Sequence, residues 1–292
     1  MTEAAIPVDL YNPGQVFACL GFLEAADLLL GNAEAAFDWH DEADVKFRLR
    51  AASENDPVAI VLEFLATAEV ASLAPASSKQ STEKWHVPTN VPTDRDAPFP
   101  FPDPPSPATL PASLTAPDQR TLIIDHWGDA TSRDNVKFWA GVGGYPGSAL
   151  LKDALDLVRG RMKDAAADPF SLSAPQSSSF RFDWRRDYIP IDVGFSPNDH
   201  GDLTMVGFPV VEILAAIGLG NARPERRDKL NYRYGVIGAQ PGGSLFAPIL
   251  IRAALGAAPL PFPQRLFWMR LGWPGQENQA RCITDVIEEN RS

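Results

Sequence analysis

The sequence predicts an α+β fold, a mixed or antiparallel sheet with packed helices. Helix and strand signals alternate loosely along the chain, the last strand signals suit antiparallel hairpins, and no repeat at a solenoid period is visible. At 292 residues, 45% hydrophobic and 22% charged, the chain can build one large domain or two smaller ones.

The elements follow in order, the opening reading strand, helix, strand, helix. Asn12 then Pro13 is a helix start, an N-cap with proline at the first helical position, and the apolar stretch Val16 to Leu30 ends at Gly31. VKFRLR alternates, with Val45, Phe47 and Leu49 on one face and Lys46, Arg48 and Arg50 on the other, as a half-exposed strand does. A second helix is expected from Pro57 to about Ala74. Between Pro88 and Pro117 ten of the 30 positions are proline, which argues against both helix and interior strand because each proline removes a backbone donor. Phe99 and Phe101 inside it suggest a strap laid on a neighbouring surface. TLIID then reads as a strand, followed by a long helix from about Ser148 to Asp164 and a strand at Ser179 to Trp184. The remaining expectations are helices near Val210 to Leu219 and Phe246 to Leu255, and strands at Leu230 to Val236, Leu266 to Leu271 and Cys282 to Ile287. The resulting parts are an acidic α/β part over 1–87, a proline-rich connector over 88–120 and a main α+β part over 121–292.

Charge is distributed unevenly. The net charge is -11, yet residues 1–120 hold 18 acids and 7 bases while residues 121–292 hold 19 of each. In the second part 15 of the 19 bases are arginine, whose planar fork matches phosphate and stacks on bases; an arginine-favouring genome explains the excess equally well. The two cysteines, Cys19 and Cys282, lack metal-ligand spacing and read as reduced core residues. The N-terminus MTEAAIPVDL has acids and no basic leader, and no apolar run reaches membrane-spanning length, so a cytoplasmic protein without membrane contact is expected.

Three segments carry candidate chemistry. In RDNVKFWAGVGGYPGSALLKDAL, Gly141, Gly143, Gly144 and Gly147 precede a helix, with Arg133 and Lys137 just ahead of them. Glycines there let a backbone approach a phosphate, but the G-x-G-x-x-x-G spacing is one residue too long for a dinucleotide fingerprint. A nucleotide site of a metabolic enzyme, a nucleic-acid backbone loop and a structural turn all stay open. In SSSFRFDWRRDYIP the alternation sets Phe180, Phe182 and Trp184 on one side and Arg181, Asp183 and Arg185 on the other, with Arg186 adjoining. Either the strand offers stacking and phosphate contacts to a single strand, or its aromatics face the core beside a solvated Arg–Asp network. The tail FWMRLGWPGQENQARCITDV concentrates Trp268, Arg270, Trp273, Gln276, Asn278, Gln279 and Arg281, which are costly to bury unpaired and so face water or a polar partner. The expected nucleic-acid contacts are therefore Arg133, Lys137, Gly141, Gly143, Gly144, Arg181, Arg185, Arg186, Arg270, Gln276, Asn278 and Arg281.

Catalysis has little sequence support. His40, His86, His126 and His200 are scattered, with neither H-E-x-x-H nor G-x-S-x-G; Asp125, His126 and Asp129 in IIDHWGD could form an acid/base or metal cluster at a strand end, but one histidine between two acids is more often a structural hydrogen-bond hub. No metal, no cofactor and no enzyme activity are expected.

The strings NPGQVFACLGFLEAADLL, IDHWGD, RDNVKFWAG, DPFSLSAPQSSSFRFDWRRDYIP and LGWPGQENQARCITDV resemble the Csb-type subunits of subtype I-U (I-G) CRISPR effector complexes, along nearly the whole chain except the proline-rich connector. The resemblance implies a non-catalytic, large-subunit-like member of a Cascade-like surveillance complex in antiviral defence. Its implied partners are crRNA, target DNA and the other subunits of the complex. The competing seat is a ferredoxin-like crRNA-binding or crRNA-processing subunit, for which His126 or His200 would have to serve as general base.

Overall fold

The computed structural model describes residues 1–73, 83–89, 112–124, 146–186, 204–240, 242–272 and 282–289. Its architecture is α+β, with five α-helices and small antiparallel sheets among the described residues. β1 (Thr2–Pro7), β2 (Glu34–Asp38) and β3 (Lys46–Ala51) form a sheet in the order β1-β3-β2, with β3 antiparallel to both neighbours. β1 and β2 thus run parallel around β3, and α1 (Pro13–Leu30) is their crossover: a split β-α-β unit, the opening arrangement of ferredoxin-like folds. α2 (Pro57–Thr67) follows β3, but β4 (Glu69–Ser72) does not return to this sheet. It pairs instead with β5 (Ala112–Thr115), which pairs with β6 (Thr121–Ile124).

β5 corrects the expectation that the stretch from Pro88 to Pro117 stays out of sheets. Pro111 and Pro117 bracket the strand and no proline lies within it, so every residue of ASLT keeps its donor and the segment serves as a central strand. α2 also ends earlier than expected. Its last carbonyls are taken by a side chain from a distant element: Arg159 Nη1 donates to Ala66 O at 3.2 Å and to Ala68 O at 2.6 Å, closing the helix before VAS enters the sheet. α3 (Gly147–Val158) likewise gives way to a 3-10 stretch through Gly160, where a long helix to Asp164 was expected.

α1 is the centre of the molecule. Asn12 caps it, its side chain accepting from Gly14 N at 3.1 Å, and residues 13–26 are buried all round. Such a helix has no polar stripe because it is covered on every side. It is also long and apolar enough to cross a membrane by length and composition, which differs from the expectation; 78% of it is buried inside the fold, as for a core helix. Its main partner is α4 (Pro209–Gly218), and the two backbones nearly touch. A Cβ on Gly21 would lie 2.0 Å from Leu214 O, and one on Gly218 would lie 2.2 Å from Phe17 O. Only glycine permits that crossing.

The C-terminal sheet has the order β12-β11-β10-β9, formed by β9 (Glu225–Arg226), β10 (Asn231–Ile237), β11 (Gln264–Gly272) and β12 (Cys282–Glu288). It is antiparallel throughout, as the hairpin signals suggest. α5 (Pro248–Leu255) lies between β10 and β11 in sequence and packs on β10. Isolated bridges from Ala35 to Phe246 and from Phe37 to Gly238 tie this sheet to β2. The last pair, β7 (Ala174–Pro175) with β8 (Val206–Gly207), is two residues long on each strand.

Candidate nucleic-acid interface

The alternation of QRLFWMRLG decides which side chains the C-terminal sheet shows. Phe267, Met269 and Leu271 are buried, so Trp268 and Arg270 point the other way. In β10 the same rule buries Tyr232 and Tyr234 and turns Asn231 and Arg233 outward. The buried face is anchored firmly. Tyr234 stacks on Phe267 at 5.2 Å, meets Phe17 of α1 edge-on at 5.9 Å and donates its hydroxyl proton to Leu10 O at 2.8 Å.

Register sets the outward face in two rows. Glu225, Arg233, Trp268 and Ile287 are successive cross-strand partners, and so are Asn231, Arg270 and Asp285. Ile287 is 59% exposed, and Trp268 is only partly covered and stands outside the hydrophobic cluster. The outward face thus sets a half-buried indole beside an exposed aliphatic side chain. Cations surround the indole. Arg227 lies over its ring at 5.5 Å, while Arg233 Nε donates to Glu289 at 2.7 Å and its Nη1 reaches Glu225 at 3.5 Å. Arg227, Arg233 and Arg270 are balanced by Glu225, Asp285 and Glu289, so the face as a whole is near neutral.

The aromatic segment around Asp183 is built differently from its expectation. Phe180 and Phe182 are buried, stacked 5.5 Å apart, in keeping with a core face. The strand itself is absent. Arg181 adopts a left-handed backbone, φ 64°, and the N–H groups of Phe182 and Asp183 donate to the Glu212 carboxylate at 3.3 and 3.0 Å instead of to a neighbouring strand. Period-two alternation fails there, and Asp183, expected on the solvated side, is wholly buried. Arg185 grips it with Nε at 2.9 Å and Nη2 at 2.5 Å, donates to Phe170 O and lies 3.4 Å over the Phe208 ring. Arg186 is 5% exposed and donates to Gln176 O and Ser177 O. Burial, followed by the nearby Asp183, pushes the Glu212 carboxyl up to about 8. These arginines hold a loop together.

The sequence-expected contacts therefore separate. Arg270 lies on the outward sheet face, exposed; Arg181, Arg185 and Arg186 gather in the Asp183 loop. Arg133, Lys137, Gly141, Gly143, Gly144, Gln276, Asn278 and Arg281 lie outside the described residues, as do Phe99, Phe101, Asp125, His126, Asp129, His200, Trp273 and Gln279. Among the described residues no group of three or more His, Cys, Asp and Glu side chains gathers as a metal site. Sequence reasoning missed Arg233 and Ile287, although the alternation of NYRYGVI already sets Arg233 against the two tyrosines.

No family model, curated protein or solved structure matches the chain. The outward sheet face combines one indole, an aliphatic neighbour and three guanidiniums, one of them over the indole, a chemistry that suits stacking of unpaired bases with phosphates passing between arginines.

Proposed function

We propose that this chain is a non-catalytic subunit of a CRISPR RNA-guided surveillance complex of the I-U (I-G) subtype, in which the outward face of the C-terminal sheet contacts an unpaired nucleic-acid strand. The observation that carries the contact is Trp268, standing outward between Arg227, Arg233 and Arg270. Stacking on an aromatic side chain is tolerant of sequence, and guanidiniums bind phosphates without reading bases. That suits a complex in which base pairing reads the sequence and protein holds the backbone. The setting rests on the resemblance of the quoted strings to Csb-type subunits.

Near neutrality of the face has a consequence for the isolated chain. Each phosphate must displace a carboxylate such as Glu225 or Glu289 from its arginine, so affinity depends on partners that hold the strand in place. Co-expression with the other subunits and a crRNA tests the proposal. Co-purification in a fixed ratio with RNA is expected; a chain that never enters the complex contradicts it.

One observation favours a second seat. The split β-α-β opening is an element of ferredoxin-like folds, which suits a crRNA-binding or crRNA-processing subunit. Incubation with repeat RNA separates the two, since cleavage that is lost in His126→Ala supports processing.

A further inference from the structure

Apart from the sheet face, a pocket of about 510 Å³ opens where the end of β2 meets the turn after β10. Its walls include Asp38, Trp39, His40, Arg48, Gln240 and Gly243. The volume lies in the range of small-ligand sites, and the lining mixes one indole with convergent polar groups. Two features of its construction narrow the ligand. Gly238 lets the indole lie against the β10 end, where a Cβ would come within 2.6 Å of Trp39 Cζ2, and Arg265 lies over the ring at 6.0 Å from its centroid, so the indole is held in place. Arg48 is oriented by Glu3, which accepts from Nε and Nη2 at 2.7 Å, and by Gly243 O at 3.5 Å from Nη2.

That leaves Arg48 Nη1 facing Asp38 Oδ2 at 4.0 Å, beyond hydrogen-bond reach. Asp38 Oδ1 accepts from the backbone N–H of His40 at 3.1 Å, which fixes the carboxylate. The Arg48 donor and the two carboxylate oxygens of Asp38, the nearer 4.0 Å from it, stand beside an indole and form a complement to a planar heterocycle whose edge offers an acceptor followed by two donors. Guanine presents O6 followed by two donors, N1–H and N2–H2. Adenine and cytosine offer only one donor group on that edge, and uracil turns a second carbonyl toward the carboxylate. A phosphate is disfavoured here, because Glu3 and Asp38 already balance Arg48.

We infer that this pocket binds a guanine base, stacked on Trp39 with O6 toward Arg48 and its N–H groups on Asp38. The base belongs to a free nucleotide or to an unpaired position in a strand. The site stands independently of the sheet face, since it needs neither Trp268 nor any partner subunit.

Calorimetric titration of the full chain with GMP, AMP, CMP and UMP, and with the tetranucleotides UUGU and UUAU, tests it. Guanine ligands are expected to bind on the order of tenfold or more tighter than the others, the size of one good bidentate base contact. Asp38→Asn keeps an oxygen for the His40 N–H and replaces the other by a donor, so it should abolish the guanine preference without changing the thermal midpoint. Trp39→Ala should weaken all bases alike. Tighter capture of UUGU than of GMP assigns the base to a strand and the reverse to a free nucleotide, each supporting the pocket. Equal binding of all bases, no binding of any, or an unchanged preference in Asp38→Asn overturns it.

Discussion

Asn12 and Asp183, 171 residues apart, are joined by a hydrogen bond of 3.0 Å from Asn12 Nδ2 to Asp183 Oδ1. The same asparagine caps α1 with its oxygen, so the start of the central helix and the Asp183 loop are one unit. Arg185 supplies the countercharge. Arg185→Ala leaves a fully buried carboxylate with neutral partners only, and removal of one member of a buried pair costs about 3–5 kcal/mol. Because Arg185 is itself a third exposed, the lower end is expected, read from denaturant midpoints. A loss near the 0–1 kcal/mol of a surface pair, roughly what exposed arginines contribute, would contradict this.

Glu212 makes stability depend on pH. Its folded value of about 8 lies above the ordinary 4.5, so below 4.5 the carboxyl is protonated in both states and its contribution is complete. As pH rises from 4.5 toward 8 the unfolded chain gives up this proton while the folded chain keeps it, and stability falls by up to about 1.4 kcal/mol per unit. Glu212→Gln should flatten the unfolding free energy over this window. A profile that keeps the parent's slope would show that other groups set it.

The crossing of α1 and α4 should tolerate no side chain at Gly21. The methyl of Gly21→Ala meets the Leu214 carbonyl, which is rigid helix backbone, so the helices must separate. Overpacking of this kind costs about 1–3 kcal/mol or more. Gly218→Ala acts on the same crossing, and the double variant should cost less than the sum, since one separation accommodates both. Thermal melts of the three variants measure this.

Much of the secondary structure was legible because it rests on local signals. The Asn12–Pro13 cap, the alternation of VKFRLR and the hairpin strands of the C-terminus all lie where those signals put them. What failed depended on distant partners. The helix from Pro57 stops at Thr67 because Arg159 takes its carbonyls, and the expected strand at Ser179 to Trp184 is missing because Glu212 takes its N–H groups. Sequence periodicity carries no record of either. The candidate site was half legible: Trp268 and Arg270 were named from composition, whereas Arg233 joins them only through register.

Trp268→Ala should separate contact from folding. The indole lies outside the hydrophobic cluster, so the thermal midpoint should change little. Binding of single-stranded RNA by the assembled complex should weaken by about 1–3 kcal/mol, the typical worth of one stacked base. A variant that melts early with unchanged RNA binding would assign Trp268 to packing.

Photo-crosslinking tests the central claim most directly. A complex assembled on RNA carrying 4-thiouridine is irradiated and digested, and the crosslinked peptides of this chain are mapped by mass spectrometry. The account predicts crosslinks on the strands carrying Arg233, Trp268 and Ile287, reduced in Trp268→Ala and competed by salt as phosphate contacts release counterions. Crosslinks that fall elsewhere on the chain, or none at all from a fully assembled complex, would contradict it.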